Sequence, residues 1–273
     1  MFAMPVLMIL LMVIYTALAV FVWRYYKNGN GDTYPLKIEL SILAPATLVH
    51  GAIVLLPILV DRVLVMGFGY ALSLIVWLML VMYFAGSFFY NLRGLQLLLY
   101  PIATISLLFA AVFPGKYTGY SIENIPFMAH IGASLIAYSM FAIITLLAVL
   151  ILWLSRDLHQ RKFSSLVSFL PPLLSLEKLM FQGMWVGFIL LSISVVSGTF
   201  FAEEVFGRPF EFTHKSIFGI FSWFIYGTLL LKRSMMAWRG KNAAIWTVLG
   251  FISLMLAYVG SKFVLEVILI NRL

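Results

Sequence analysis

Eight stretches of predominantly apolar residues, at about 3–23, 38–58, 66–89, 95–113, 127–154, 180–201, 216–231 and 243–265, divide a chain of 273 residues. A helix rising 1.5 Å per residue crosses a hydrocarbon core roughly 30 Å thick in about 20 residues, the usual length of these runs. None shows the period-two alternation of barrel strands. The expected fold is therefore all-α, a polytopic membrane protein built as a bundle of about eight transmembrane helices. A charged fraction of 10% and a mean hydropathy of +1.06 agree, because the surface of a water-soluble domain carries more charge than that. Ala17-Leu18-Ala19 resembles a signal-peptidase site. No basic residue precedes it and the apolar run continues past it, so this segment reads as a retained first helix.

The connecting segments are short, and none has the length of a separate domain. The first, third, fifth and seventh hold twelve of the 18 Lys and Arg residues, and the other three with the C-terminal tail hold six. The positive-inside rule then places the odd loops in the cytoplasm and both termini outside, an N-out/C-out topology. The formal charge of +8 is accounted for by this bias, and no nucleic-acid partner is expected, since no soluble domain exists to carry a basic face. Residues 156–178, with "SSLVSFLPPLLSLEK", read as a cytoplasmic loop with an amphipathic segment on the membrane interface; a partner-docking helix is the alternative.

The chain has no cysteine, which excludes disulfides, thiolate metal sites and covalent CxxCH haem attachment. No serine–histidine–aspartate order, phosphate-cradling glycine loop or intramembrane carboxylate pair appears, so hydrolase and NTPase readings lack a basis and no enzyme activity is expected. Paired broken helices of the transporter kind are also not evident.

The four histidines remain. His159 lies in the basic loop "RDLHQRK" and reads as solvated. His50, His130 and His214 all fall in the outer half under the topology above. His50 sits within the second span, where a polar group either hydrogen-bonds a neighbouring helix or serves as a ligand. His130, Ser134 and Tyr138 are spaced four apart, one polar stripe descending the fifth span. His214 belongs to "FGRPFEFTHKSIFG", residues 206–219, where an arginine, a glutamate and a lysine stand among four phenylalanines. Two imidazoles converging on one face can clamp a haem iron, with Phe206, Phe210 and Phe212 covering the porphyrin and Arg208 or Lys215 pairing with its propionates. A three-histidine copper or zinc site is the competing chemistry, but it leaves the phenylalanines without a role. Lys262 and Glu266, spaced i,i+4 in the eighth span, read as an interfacial salt bridge.

In order along the chain, "HIGASLIAYSMFAI" (130–143), "LPPLLSLEKLMF" (170–181), "GFILLSISVVSG" (187–198), "FSWFIYGTLLLKR" (221–233) and "AWRGKNAAIWTVLGF" (237–251) resemble the cytochrome c assembly superfamily of membrane haem-handling proteins, of the CcsA and CcmC type. They look most like its YpjD/HemX branch of inner-membrane proteins. The resemblance implies a core over 38–268 and a location in the bacterial inner membrane. It also implies that His130 matches an outward-facing axial ligand, and that "FGRPFEFTHK" stands where relatives carry a tryptophan-rich haem cradle of the form WGxxWxWDPK. Here the tryptophans are Phe206, Phe210 and Phe212, and Lys215 matches. Two further family histidines would fall near Leu231 and near Phe263 or Val264, and neither is present.

Together these readings give an accessory protein that binds noncovalent haem b, in cytochrome c assembly or haem homeostasis. His130 and His214 would be the outer pair on the haem iron and His50 a deeper ligand. Its partners would be the lipid bilayer, haem and another membrane protein. The alternative is a regulatory membrane protein of divalent-cation tolerance or the tetrapyrrole pathway that has lost haem.

Overall fold

The computed structural model describes residues 3–29, 31, 33–61, 63–65, 67–113, 119–121, 123–161, 164–203, 207, 209–236, 238–264 and 268. In chain order the elements are α1 (Ala3–Lys27), α2 (Leu36–Asp61), β1 (Val63–Val65), α3 (Phe68–Gly86), α4 (Gln96–Val112), β2 (Gly119–Ser121), α5 (Ile125–His159), α6 (Ser165–Phe169), α7 (Leu173–Phe200), α8 (His214–Met236) and α9 (Gly240–Met255). A π turn, Leu256–Gly260, and one further helical turn, α10 (Ser261–Phe263), continue α9. All eight apolar runs are helices. Six helical stretches are long and apolar enough to cross a membrane by themselves. Of the other two, α4 is apolar but only 17 residues long, and α8 carries Lys215, Lys232 and Arg233. The protein is a polytopic helical membrane bundle.

Local chemistry sets the helix ends. Asn124 caps α5, its side chain accepting from the Phe127 amide at 2.9 Å, with Pro126 in the first turn where its missing N–H costs nothing. At the other end α5 runs on to His159, with Arg156 and His159 in the last turn against the negative end of the helix dipole. α7 starts directly after Pro171-Pro172, several residues earlier than hydropathy alone suggests, and begins no sooner because a residue preceding proline is pushed out of the helical region.

The odd loops meet at one end of the bundle. Arg93 donates to the Gly31 carbonyl, Ser165 to the Lys27 carbonyl, and Gly31 packs against Ser168 and Phe169. Leu170 packs on Gly94, whose φ of +91° suits a residue without a Cβ. This is the end rich in lysine and arginine, hence the cytoplasmic one. The described residues of 156–178 comprise the end of α5, the single turn α6 and the start of α7. Among them Phe169 and Leu170 are buried in the bundle, with Phe169 edge-on to Tyr26 and Tyr34. At the opposite end β1 and β2 form an antiparallel ribbon in the register Val63 with Ser121, joining the second and fourth loops. Its Leu64 forms a small apolar cluster with Phe127, against which Ile58 and Tyr258 pack.

Beneath the cytoplasmic loops lies a buried carboxylate. Glu39, in the first turn of α2, is fully buried. Its Oε1 accepts from the hydroxyls of Tyr83 (2.8 Å) and Tyr100, and its Oε2 from Tyr34 (2.6 Å) and the Gln96 amide (3.3 Å). Burial and the neighbouring carboxylate push the Tyr34 hydroxyl well above the usual phenol range, so it stays protonated and donates. A carboxylate has about four lone-pair sites, and here all four are taken. The donors come from the first loop, α3 and α4, so one charge pins three parts of the chain to α2.

α5 is the central helix and packs along α7. Gly183 and Gly187 on α7 let the helices approach closely, since a Cβ at Gly187 would stand 3.1 Å from the Phe141 ring. The same Phe141 ring stacks on Tyr226 of α8 with centroids 3.9 Å apart.

Candidate functional site: a cavity at the outer end

Where α5, α7, α8 and the α9 continuation diverge toward the outer end, they enclose a cavity of about 240 Å³. His130 and Tyr138 of α5 line it, with Ser194, Gly198 and Thr199 of α7, Lys215, Ser216 and Gly219 of α8, and Tyr258 and Lys262 beyond α9. Phe127 and Phe210 complete the aromatic walls.

His130 sits in the second turn of α5. Its Nδ1 lies 2.8 Å from the Ser197 hydroxyl, and Ser197 also donates to the Ser194 carbonyl at 3.1 Å. Ser134, one turn below, donates to the His130 carbonyl at 2.7 Å and meets the Ser194 hydroxyl at 2.6 Å. The absence of a side chain at position 198 leaves room for the imidazole, because a Cβ there would come within 3.1 Å of its Cε1. Lower still, Tyr138 donates to the Leu254 carbonyl at 2.9 Å and lies edge-on to Tyr258. That bond falls just before the π turn, in which backbone pairing steps from i+4 to i+5. Tyr258, within this turn, lines the cavity. The Lys215 ammonium lies 5.7 Å from the Tyr258 ring centroid, a cation–π contact at the rim.

The structure separates the candidates. His130, Phe210 and Lys215 are brought together on the cavity. His214 is not: Thr213 caps α8 by accepting from the Ser216 amide (3.4 Å), so the helix begins at His214, and its cavity face is Lys215, Ser216, Gly219 and Ile220. His214 lies off that face, exposed. Phe212 is also exposed, with its ring against Phe210 at 5.0 Å. Phe206 and Arg208 lie outside the described residues. His50 is elsewhere, fully buried among α1, α2 and α3, with Nδ1 3.2 Å from the Tyr15 hydroxyl and Nε2 2.9 Å from Ser73. Both its ring nitrogens are engaged by hydroxyls, as expected of a histidine that joins helices. Lys262 lines the cavity, and Glu266, its expected partner, lies outside the described residues. Among the described residues no three of His, Cys, Asp and Glu are placed to hold a metal ion, which leaves the three-histidine copper or zinc site without a geometry.

Spacing alone left out the α7 wall. Ser194, Ser197 and Gly198 continue the face that carries Gly183 and Gly187, and such a run of small and hydroxylated residues is the available signal for a close helix neighbour.

The sequence pattern of the cytochrome C assembly protein family matches residues 40–269. The chain belongs to the cytochrome C assembly protein family. The inner membrane protein YpjD of Escherichia coli (strain K12) is 32% identical over 178 residues, 64% of this chain and 66% of YpjD. The cytochrome c biogenesis protein CcsA of Guillardia theta is 26% identical over 151 residues, half of each chain. The CcsA of Pyropia yezoensis is 30% identical over 89 residues, 33% of this chain and 28% of that one. The chain thus spans just under two thirds of YpjD and half or less of these CcsA proteins. With its membrane-spanning helices and its likeness to YpjD, this family member is a multi-pass protein of the bacterial inner membrane.

Proposed function

We propose that the outer cavity binds haem b noncovalently through His130 and that the protein acts as a non-catalytic accessory in cytochrome c assembly or haem homeostasis, alongside another membrane protein. The observation that carries the reading is an imidazole held in a fixed orientation on the wall of an aromatic cavity, with two lysines beside it, in a member of this family. Haem would supply an iron open to imidazole and two propionates suited to ammonium groups. The residues fit that chemistry: His130 on the iron, Phe127, Phe210 and Tyr258 against the ring, Lys215 and Lys262 toward the propionates. A volume of about 240 Å³ is below the roughly 300–1,000 Å³ of pockets that enclose a ligand. The cavity would therefore enclose only part of such a group.

Among the described residues a single histidine lines the cavity, and that observation favours a second reading in which a regulatory protein has kept the scaffold without haem. The two are separated by expressing the protein with ample haem, purifying it in detergent and recording its spectrum. A Soret band that His130→Ala removes supports haem binding. No Soret band in the wild type, with a partner retained by the basic cytoplasmic loops, supports the regulatory reading.

A further inference from the structure

We infer that Gly219 sets the size of the outer cavity: the space that a side chain would fill at this position is kept open for the bound ligand, which packs against the α8 backbone there. That this ligand is haem rests on the function proposed above.

The inference comes from a glycine without a local reason. Glycine in a helix interior is less favourable than alanine, because it loses more conformational freedom on folding. In membrane bundles that cost is usually offset by close helix packing. Other glycines of α7 and α8 show such packing. A Cβ at Gly187 would stand 3.1 Å from the Phe141 ring, and one at Gly227 3.3 Å from the ring of Phe188 on α7. Gly198 leaves its space to the His130 imidazole. Gly219 lines the cavity from the second turn of α8, yet among the described residues a Cβ there would meet nothing within 4 Å. Its backbone is ordinary helix, so no turn requires a glycine either.

The seam between α7 and α8 shows how the opening arises. Phe188 stacks on Trp223 with centroids 5.5 Å apart, and the Trp223 indole donates to the Ser192 hydroxyl at 2.8 Å, so the seam is filled at that level. One turn nearer the outer end, α8 carries Gly219 in place of a large side chain, and the facing Val195 and Thr199 of α7 border the cavity. A large side chain at 219 would continue the seam outward and fill the space.

The chain has no cysteine, so Gly219→Cys places a single thiol at the opening. Gln160→Cys, at an exposed position of the cytoplasmic end, and Ser222→Cys, at a fully buried one, bracket its reactivity. In detergent-solubilised protein without haem, a water-soluble maleimide should label Gly219→Cys to completion under conditions that leave Ser222→Cys unlabelled; a thiol at 219 as unreactive as the one at 222 overturns the inference. Gly219→Ala should unfold at or above the wild-type temperature, since the added methyl meets no neighbour and favours the helix. A clear fall in that temperature overturns the inference as well. In the haem arm, haemin should protect the Gly219→Cys thiol but not the Gln160→Cys thiol. Gly219→Leu should weaken haem binding by about 10-fold or more while unfolding as the wild type does. Full labelling of Gly219→Cys in the haem-loaded protein, or wild-type affinity in Gly219→Leu, overturns the contact with the ligand. A wild type that takes up no haem refutes the proposed function; a labelled Gly219→Cys and a stably folded Gly219→Leu then still support position 219 as the open wall of the cavity.

Discussion

Replacing Glu39 by alanine would strand four donors in the interior: the hydroxyls of Tyr34, Tyr83 and Tyr100 and the Gln96 amide. A buried donor left without its acceptor costs about 1–3 kcal/mol, so four of them give an upper range of about 4–12 kcal/mol. Side-chain hydrogen bonds measured within membranes average only about 0.6 kcal/mol, because the unfolded chain finds other partners, and on that scale the loss is about 2 kcal/mol. Both figures are large against ordinary protein stabilities of about 5–15 kcal/mol. Glu39→Gln should behave differently. Its carbonyl oxygen keeps two of the donors, and its new N–H group can bond Gln96 Oε1, a buried acceptor with no partner among the described residues, if the Gln96 amide turns over. The expected cost falls to about 2–6 kcal/mol, two stranded donors, the Tyr34 hydroxyl and the turned Gln96 amide. Intrinsic fluorescence of the seven tryptophans during thermal unfolding in detergent measures both variants. The expected order of stability is wild type, Glu39→Gln, Glu39→Ala, with the alanine variant many degrees below wild type. The glutamine variant, altered at the cytoplasmic end, should bind haem as wild type does. An alanine variant that unfolds within a degree or two of wild type would refute the reasoning, since the carboxylate would then not be what pins the first loop, α3 and α4 together.

Three further outcomes follow from the cavity and the packing. His130→Ala should abolish haem binding, whereas His214→Ala should leave the Soret band in place and His50→Ala should lower thermal stability before it affects the spectrum; equal spectral loss in the His130 and His214 variants would contradict the geometry. Gly198→Val should weaken haem binding by about 10-fold or more with little change in unfolding temperature, because its side chain enters the space of the His130 ring, as a haem titration would reveal. Phe141→Ala, which removes the ring stacked on Tyr226, should cost about 3–5 kcal/mol in a reversible unfolding assay, and a loss below about 1 kcal/mol would mean that the α5–α8 contact is not central.

The eight helices were legible because a lipid environment demands a long apolar run for each crossing and leaves little else that such a run can become. The His130, Ser134 and Tyr138 stripe was legible for the same local reason, one residue per turn on one face. What escaped the sequence depends on register between distant segments. Tyr83 and Tyr100 lie 44 and 61 residues from Glu39, and nothing in their spacing brings them to its carboxylate. His50 could equally have been a ligand until the structure placed Tyr15 and Ser73 on its two nitrogens. His214 follows the threonine that caps α8 and precedes the lysine that faces the cavity; a single residue of helical phase separates a wall residue from an exposed one. Phe169 and Leu170 had the hydropathy of an interfacial segment, and only the glycines at 31 and 94, which make space for loop residues, indicate that they turn inward.

The central claim is haem at His130, and the most direct measurement is the haem content of purified protein by pyridine haemochrome, compared between wild type and His130→Ala after expression with ample haem. Haem close to stoichiometric with the wild-type chain and nearly absent from a stably folded His130→Ala variant is the expected result; a wild type free of haem, or a variant that retains it, would contradict the claim.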